Sequence, residues 1–223
     1  MTNLYCDKSF QFLSDLSLNN SKEWFIENKE LYEKHLLDPT KELMSHLDLF
    51  ISSIDSGLET RPAINKAITT IYRDTRFSKN KTPLKSYFGL NFKKPISTWK
   101  YHPSFIFRIT PAGYIYGMAI MKNNPDNFDN FRSDLKEPQK FKKIITKLNK
   151  NKELALWGEE YKKYQHENKE LNKWYCKKNI YIRCVKGQDE IRSPKILINN
   201  IIKTYQDLTP LYEYFNEVFD KKN

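Results

Sequence analysis

The stretch from Ser104 to Met121 constrains the fold more than any other part of the chain. It holds two runs rich in β-branched and aromatic residues, Ser104–Thr110 and Tyr114–Met121, joined through Pro111-Ala112-Gly113. Such runs around a short Pro- and Gly-containing connection form an antiparallel hairpin. On the first strand Phe105, Phe107 and Ile109 share one face, which leaves Arg108 on the other with Ile106. An arginine in an apolar strand needs a partner, and Asp74 and a bound anion are both candidates.

More strand is expected at Lys66–Tyr72, where Ala67, Thr69 and Ile71 alternate against Ile68, Thr70 and Tyr72. Ser86–Phe92 reads as its return strand and Ile180–Val185 as one more. Helical spacing dominates both ends. Phe10, Phe12, Leu13 and Leu16 predict an amphipathic helix ending near Leu18. Asn20, three residues before Glu23, has the spacing of an N-cap for a helix that places Trp24, Phe25, Asn28, Leu31 and Tyr32 on one face.

Asp38-Pro39 predicts a fresh helix start, with Leu43, Leu47, Phe50, Ile51 and Ile54 as its buried stripe and Asp55-Ser56-Gly57 as its stop. Pro125–Leu135, Pro138–Leu148, Ser193–Tyr205 and Thr209–Phe219 read as further helices. Leu154–Tyr164, carrying Trp157, Tyr161 and Tyr164, falls in the same mostly helical remainder. The expected fold is α+β: a single domain over residues 1–223, with an antiparallel β-sheet flanked by N-terminal and C-terminal helices.

The net charge of +11 points to an acidic partner, but 31 of the 38 basic residues are Lys and only seven are Arg. Lysine accumulates in compositions of this kind without a ligand to select it, so nucleic acid is a possible partner and not the favoured one. Three Cys without a CxxC pair suit reduced thiols, and neither a signal peptide nor a run long enough to span a bilayer is present. The expectation is a cytoplasmic protein that does not enter membranes. The four His are scattered without paired ligand spacing, which gives no reason to expect a metal site. No Walker loop, dinucleotide glycine motif or GxSxG occurs, so no cofactor can be named.

The candidate site is the segment Ile71–Phe92, IYRDTRFSKNKTPLKSYFGLNF. It gathers Arg73, Asp74, Arg76, Ser78, Lys79, Lys81 and Lys85. Two of seven arginines within four residues, in a chain that otherwise uses Lys, point to a geometric need for guanidinium. Its planar fork suits two oxygens of a phosphate or carboxylate. Arg73 and Arg76 would contact the anion, Asp74 would orient one of them, and Ser78 and the lysines would add donors and charge. Trp24, Lys29, Arg108 and Arg132 are candidate second walls. A purely structural reading stands beside this one, in which an internal Arg–Asp network pins the strand to the N-terminal helices.

This segment, with NNSKEWFIENKELY at Asn19–Tyr32, resembles the uncharacterised bacterial and fungal family called domain of unknown function 2461. The family pattern runs close to NN, a few polar residues, WF, then NK and Y, followed later by YRDTRFSKDKTPYK. Asn19, Asn20, Trp24, Phe25, Asn28, Lys29 and Tyr32 match the first part, and Tyr72–Lys85 the second. Asn80 stands where Asp is usual and Leu84 where an aromatic is usual. The resemblance brings no catalytic residue, cofactor or substrate.

The expected function is binding of an anionic, phosphate-bearing small molecule at Arg73–Lys85. Any reaction would be group transfer or hydrolysis on that ligand, with Asp74 the only obvious base. The alternative is a nucleic-acid or protein interaction module without chemistry. It draws on the aromatics Tyr72, Phe77, Tyr87, Phe88, Phe92, Trp99 and Tyr101 that interleave with the basic residues. Oligomeric state is left open.

Overall fold

The computed structural model describes residues 4–122, 124–190 and 193–221. Its helices are α1 (Asp7–Leu18), α2 (Lys22–Glu27), α3 (Lys29–Tyr32), α4 (Asp38–Ile54), α5 (Pro125–Asp134), α6 (Gln139–Leu148), α7 (Lys169–Tyr175) and α8 (Pro194–Phe219). The strands β1 (Phe88–Phe92), β2 (Ser104–Thr110), β3 (Gly113–Ile120), β4 (Ala155–Trp157) and β5 (Ile180–Gly187) form one antiparallel sheet in the order β1-β2-β3-β5-β4. The fold is α+β with helices at both ends of the chain. Among the described residues no helix is long and apolar enough to cross a membrane.

The chain divides into two compact units. The first comprises residues 1–92, 106–116 and 185–202, and the second residues 93–105, 117–184 and 203–223.

In the first unit the predicted face of α1 is buried as expected, with Phe10, Phe12, Leu13 and Leu16 all inaccessible or nearly so. The helix expected from Asn20 onward is broken at Asn28, whose side-chain amide donates to the Trp24 carbonyl at 2.9 Å and so ends α2. Its cap is Ser21, which accepts from the Trp24 N–H, and not Asn20. Helix α4 does begin at Asp38 with Pro39 in its first turn, as expected, but Asp38 is not its cap and no break precedes it. The chain runs from α3 into α4 through a π-helical turn, Glu33–Leu37, in which the Asp38 N–H bonds to the Glu33 carbonyl. Widening the turn just before Pro39 accommodates a residue that can neither donate nor tolerate the preceding carbonyl.

The buried stripe then runs through Tyr32, Leu36, Thr40, Leu43, Leu47 and Ile51, while Phe50 and Ile54 stay half-buried. Tyr32 meets Phe88 of β1 edge-on, with ring centroids 5.2 Å apart. Gly89, at φ +151°, lets β1 approach β2 closely. A Cβ there would lie 2.1 Å from the Phe107 carbonyl oxygen.

Lys66–Tyr72 is not a regular strand. It pairs with the return segment only at isolated bridges, Ile68 with Leu90 and Tyr72 with Leu84. Between those bridges four steps on one side face six on the other, so no continuous ladder is possible. Lys66 and Ala67 lie in a turn, and the two-residue mismatch keeps the residues after them from forming a ladder.

In the second unit Phe105 lies between Tyr205 (4.9 Å between ring centroids) and Tyr212 (5.1 Å), two turns apart on α8. Helix α8 is continuous where two helices were expected, and Pro210 sits inside it. Burial of Tyr205, Leu208, Leu211, Tyr212 and Phe215 outweighs the one hydrogen bond that Pro210 removes. Leu154–Tyr164 is not helical. Ala155–Trp157 pairs with β5, Ala155 opposite Arg183 and Trp157 opposite Tyr181. The three- and four-residue spacing of Trp157, Tyr161 and Tyr164 instead serves to surround two arginines. The Arg183 guanidinium lies 4.5 Å from the Trp157 ring, and that of Arg132 lies 3.7 Å from the Tyr164 ring. Helix α7, capped by Asn168 accepting from Glu170 and Leu171 N–H groups, has no counterpart in the sequence reading.

A polar clamp follows α4 outside any regular element. The buried Glu59 carboxylate takes both Nε (2.8 Å) and Nη2 (2.5 Å) of Arg61. The Arg61 hydrogen bonds hold Glu59 down from 4.5 to about 2. A depressed carboxylate contributes stability that is present above its unfolded value and lost as pH falls through the folded one. Acid unfolding of the wild type should therefore show a component between about pH 4.5 and 2. Urea titrations at stepped pH should find that component absent from Glu59→Gln.

Candidate anion-binding cleft

The loop between Ile71 and Lys85 is tied at its base by backbone bonds. Arg73 N–H donates to Pro83 (2.8 Å), Lys85 N–H donates to Ile71 (2.8 Å), and the side chains of Ile71 and Leu84 are buried beneath them. A further tie arrives from 64 residues away. Asn20 accepts from the Leu84 N–H with Oδ1 (2.9 Å) and donates with Nδ2 to the Leu84 carbonyl (3.1 Å). One side-chain amide thus does for Leu84 what a neighbouring strand would do.

Within the loop, Asn80 Oδ1 accepts from the backbone N–H and the hydroxyl of Thr82, at 2.9 and 2.8 Å. Thr82 Oγ1 in turn accepts from Arg73 Nη1 at 2.5 Å, and Ser78 Oγ accepts from Arg73 Nη2 at 3.4 Å. The relay Arg73–Thr82–Asn80 aims the guanidinium through neutral groups. Asp74 engages Arg76 instead, through Nε at 2.9 Å and Nη2 at 2.8 Å, with both side chains well exposed. That hydrogen bonding pushes the already charged Arg76 guanidinium further up.

These ties shape a cleft of about 550 Å³. Arg73, Asp74, Asn80, Thr82, Lys85 and Tyr87 line it, with Ser17 and Asn20 contributed by α1 and the turn that follows it. Lys85 Nζ donates to the Thr70 carbonyl at 2.5 Å. The guanidinium of Arg108 stacks 4.5 Å from the Tyr87 ring, so a cation stands behind that wall. Tyr87 is thereby the partner found for Arg108. The only acid among the lining residues is already matched by Arg76. The cleft is therefore cationic overall.

The other predicted residues are placed differently. Arg76, Ser78, Lys79 and Lys81 belong to the loop but not to the cleft lining, and Lys81 Nζ donates to the Thr75 carbonyl at 2.9 Å. Lys29 pairs with Glu33 at 3.6 Å on the surface. Trp24 packs against Phe12, with centroids 5.5 Å apart, at a separate pocket. Arg132 belongs to the second unit, where Asp129 (2.9 Å) and the Tyr175 carbonyl (3.1 Å) hold it.

Asn20, Asn80, Thr82 and Tyr87 were not among the predicted site residues. The departure from the family pattern at Asn80 leaves the acceptor in place, because its amide oxygen makes both bonds to Thr82.

An α+β chain with an antiparallel sheet and a cationic cleft built on one long loop is the class that fold and site define. Residues 8–214 of the 223 match the model of one family, described as conserved hypothetical protein (DUF2461), and the chain belongs to that family. No curated protein and no solved structure matches it.

The Asn20 tie yields a direct test. Asn20→Ala should cost roughly 1–3 kcal/mol by leaving the Leu84 N–H and carbonyl unpaired. Urea denaturation measures the cost. Hydrogen exchange should show the Leu84 amide losing protection while the amides of α4 keep theirs.

Proposed function

We propose that this protein binds a phosphate-bearing small molecule in the Arg73–Lys85 cleft. The observation that carries the reading is the way Arg73 is held. Its described side-chain bonds go to the hydroxyls of Thr82 and Ser78, which fix the fork without neutralising it. A pre-oriented guanidinium beside a lysine suits two phosphate oxygens. Asp74 spends both oxygens on Arg76, so its role in this reading is to be neutralised, not to accept a proton from a substrate. Binding is proposed without an assigned reaction.

A second reading is favoured by one residue. Phe77 is 95% exposed at the tip of the loop, and the Arg76 guanidinium lies 5.9 Å from its ring. An exposed ring among Arg76, Lys79 and Lys81 suits stacking on a base of single-stranded nucleic acid.

Thermal shifts with inorganic phosphate, nucleotides, sugar phosphates and short oligonucleotides at two salt concentrations separate the readings. The pocket reading expects a small phosphate-bearing ligand to raise Tm, with Arg73→Lys weakening its affinity by about tenfold or more through loss of the fork. Arg76→Ala should also weaken it, by exposing the Asp74 charge, and Asp74→Asn in the same chain should restore it. An Arg76 that touches the ligand directly would leave that double variant weak. Stabilisation by oligonucleotides alone, falling steeply with salt and lost in Phe77→Ala, would replace the pocket with the nucleic-acid surface. No shift with any ligand would overturn both.

A further inference from the structure

A second cavity of the first unit, about 260 Å³, lies on the N-terminal helices. Phe12, Trp24 and Leu31 give it an apolar lining, and His35, Gln11 and Asp15 stand among them. Apolar walls with a few convergent polar groups are the usual make-up of a small-molecule site. His35 connects this cavity to a thiol, because its Nδ1 lies 3.9 Å from Cys6 Sγ. Cys6 is only half-buried and is the residue that caps α1, a twelve-residue helix. The other two cysteines, Cys176 and Cys184, are buried.

We propose that Cys6 is a nucleophilic thiol, with His35 as its proton acceptor, and that the adjoining cavity takes the compact apolar group of a carbon electrophile. The sulfur attacks the electrophilic carbon, an S–C bond forms, and the bond to the leaving group breaks with its electron pair. The thiol proton passes to His35 Nδ1 and from there to water. Cysteine–histidine pairs with this connectivity work in the same way, and their contacts are often long before a substrate arrives.

Two surroundings favour the role. His35 lies on the π-helical turn, a local geometry that recurs at functional sites. Burial, with Lys34 and Lys8 beside it, holds the imidazole below its ordinary value, so at neutral pH it has room for a proton. Ser9 Oγ lies 4.0 Å from the sulfur, and Lys8 and Asn28 stand with His35 in the cavity lining.

The test uses two probes with the same reactive group, iodoacetamide and its N-benzyl derivative, on the folded full-length chain, read by intact mass and peptide mapping. One adduct per chain at Cys6 is expected, and Cys6→Ser should abolish it. Relative to free N-acetylcysteine, the benzyl probe should be favoured over the plain one by about tenfold, from burial of its ring. His35→Ala should slow both probes by about tenfold or more. Trp24→Ala should remove the benzyl preference.

Circular dichroism establishes that each variant is folded. Should His35→Ala fail to fold, the wild-type rates against the free thiol still decide. A Cys6 that reacts no faster than N-acetylcysteine with either probe, or labelling of Cys176 or Cys184 ahead of it, overturns the proposal.

Discussion

A backbone amide and carbonyl that leave a sheet ladder must find partners elsewhere, and at Leu84 a single side chain meets both needs. Asn20 is the partner, from a turn 64 residues earlier. The base of the Arg73–Lys85 loop is fixed by this pair and by the two backbone bonds beside it. The cleft exists because the loop is fastened to the N-terminal helices without being zipped into the sheet. A regular strand through Lys66–Tyr72 would have alternated its side chains on opposite faces. Arg73 and Lys85, one on each side of the Tyr72–Leu84 bridge, line one cavity together.

Inside the loop the charges sort by kind of partner. Arg76 meets a carboxylate on the surface and Arg73 meets hydroxyls at the cleft. The same residue type, three positions apart, is in one case neutralised and in the other only aimed. The neighbouring asparagine and threonine decide which. Arg132 shows a third arrangement, buried at 6% exposure with aromatic rings around its guanidinium.

Much of the fold was legible from periodicity. The β2–β3 hairpin and the buried face of α1 follow from spacing and turn chemistry, since local pattern and tertiary packing agree there. The failures share a cause, which is that tertiary partners overrode a local signal. Pro210 reads as a helix boundary, but five buried neighbours hold α8 through it. Trp157, Tyr161 and Tyr164 read as a helix face, but they pack on arginines. Asn20 reads as a cap because its bond to Leu84 has no trace in local sequence. Of the cleft, the cationic segment was legible, since arginine is scarce in this chain. The hydroxyl relay was not, because which of two nearby arginines meets the acid depends on how the loop closes.

The π-helical turn before Pro39 also sets an angle. From Tyr32 to Ile51 the buried stripe makes five turns in nineteen residues, one more than the eighteen or so that five α-helical turns would hold. The surplus residue is taken up at Glu33–Leu37. Without it, everything upstream would be rotated by roughly 100° against everything downstream. Tyr32 and Leu47 could not then face the same core, and His35, which lies within the turn, would lose its bearing on Cys6. The turn works as a phase corrector: it keeps one hydrophobic stripe continuous across a proline while fixing the direction in which a single imidazole points.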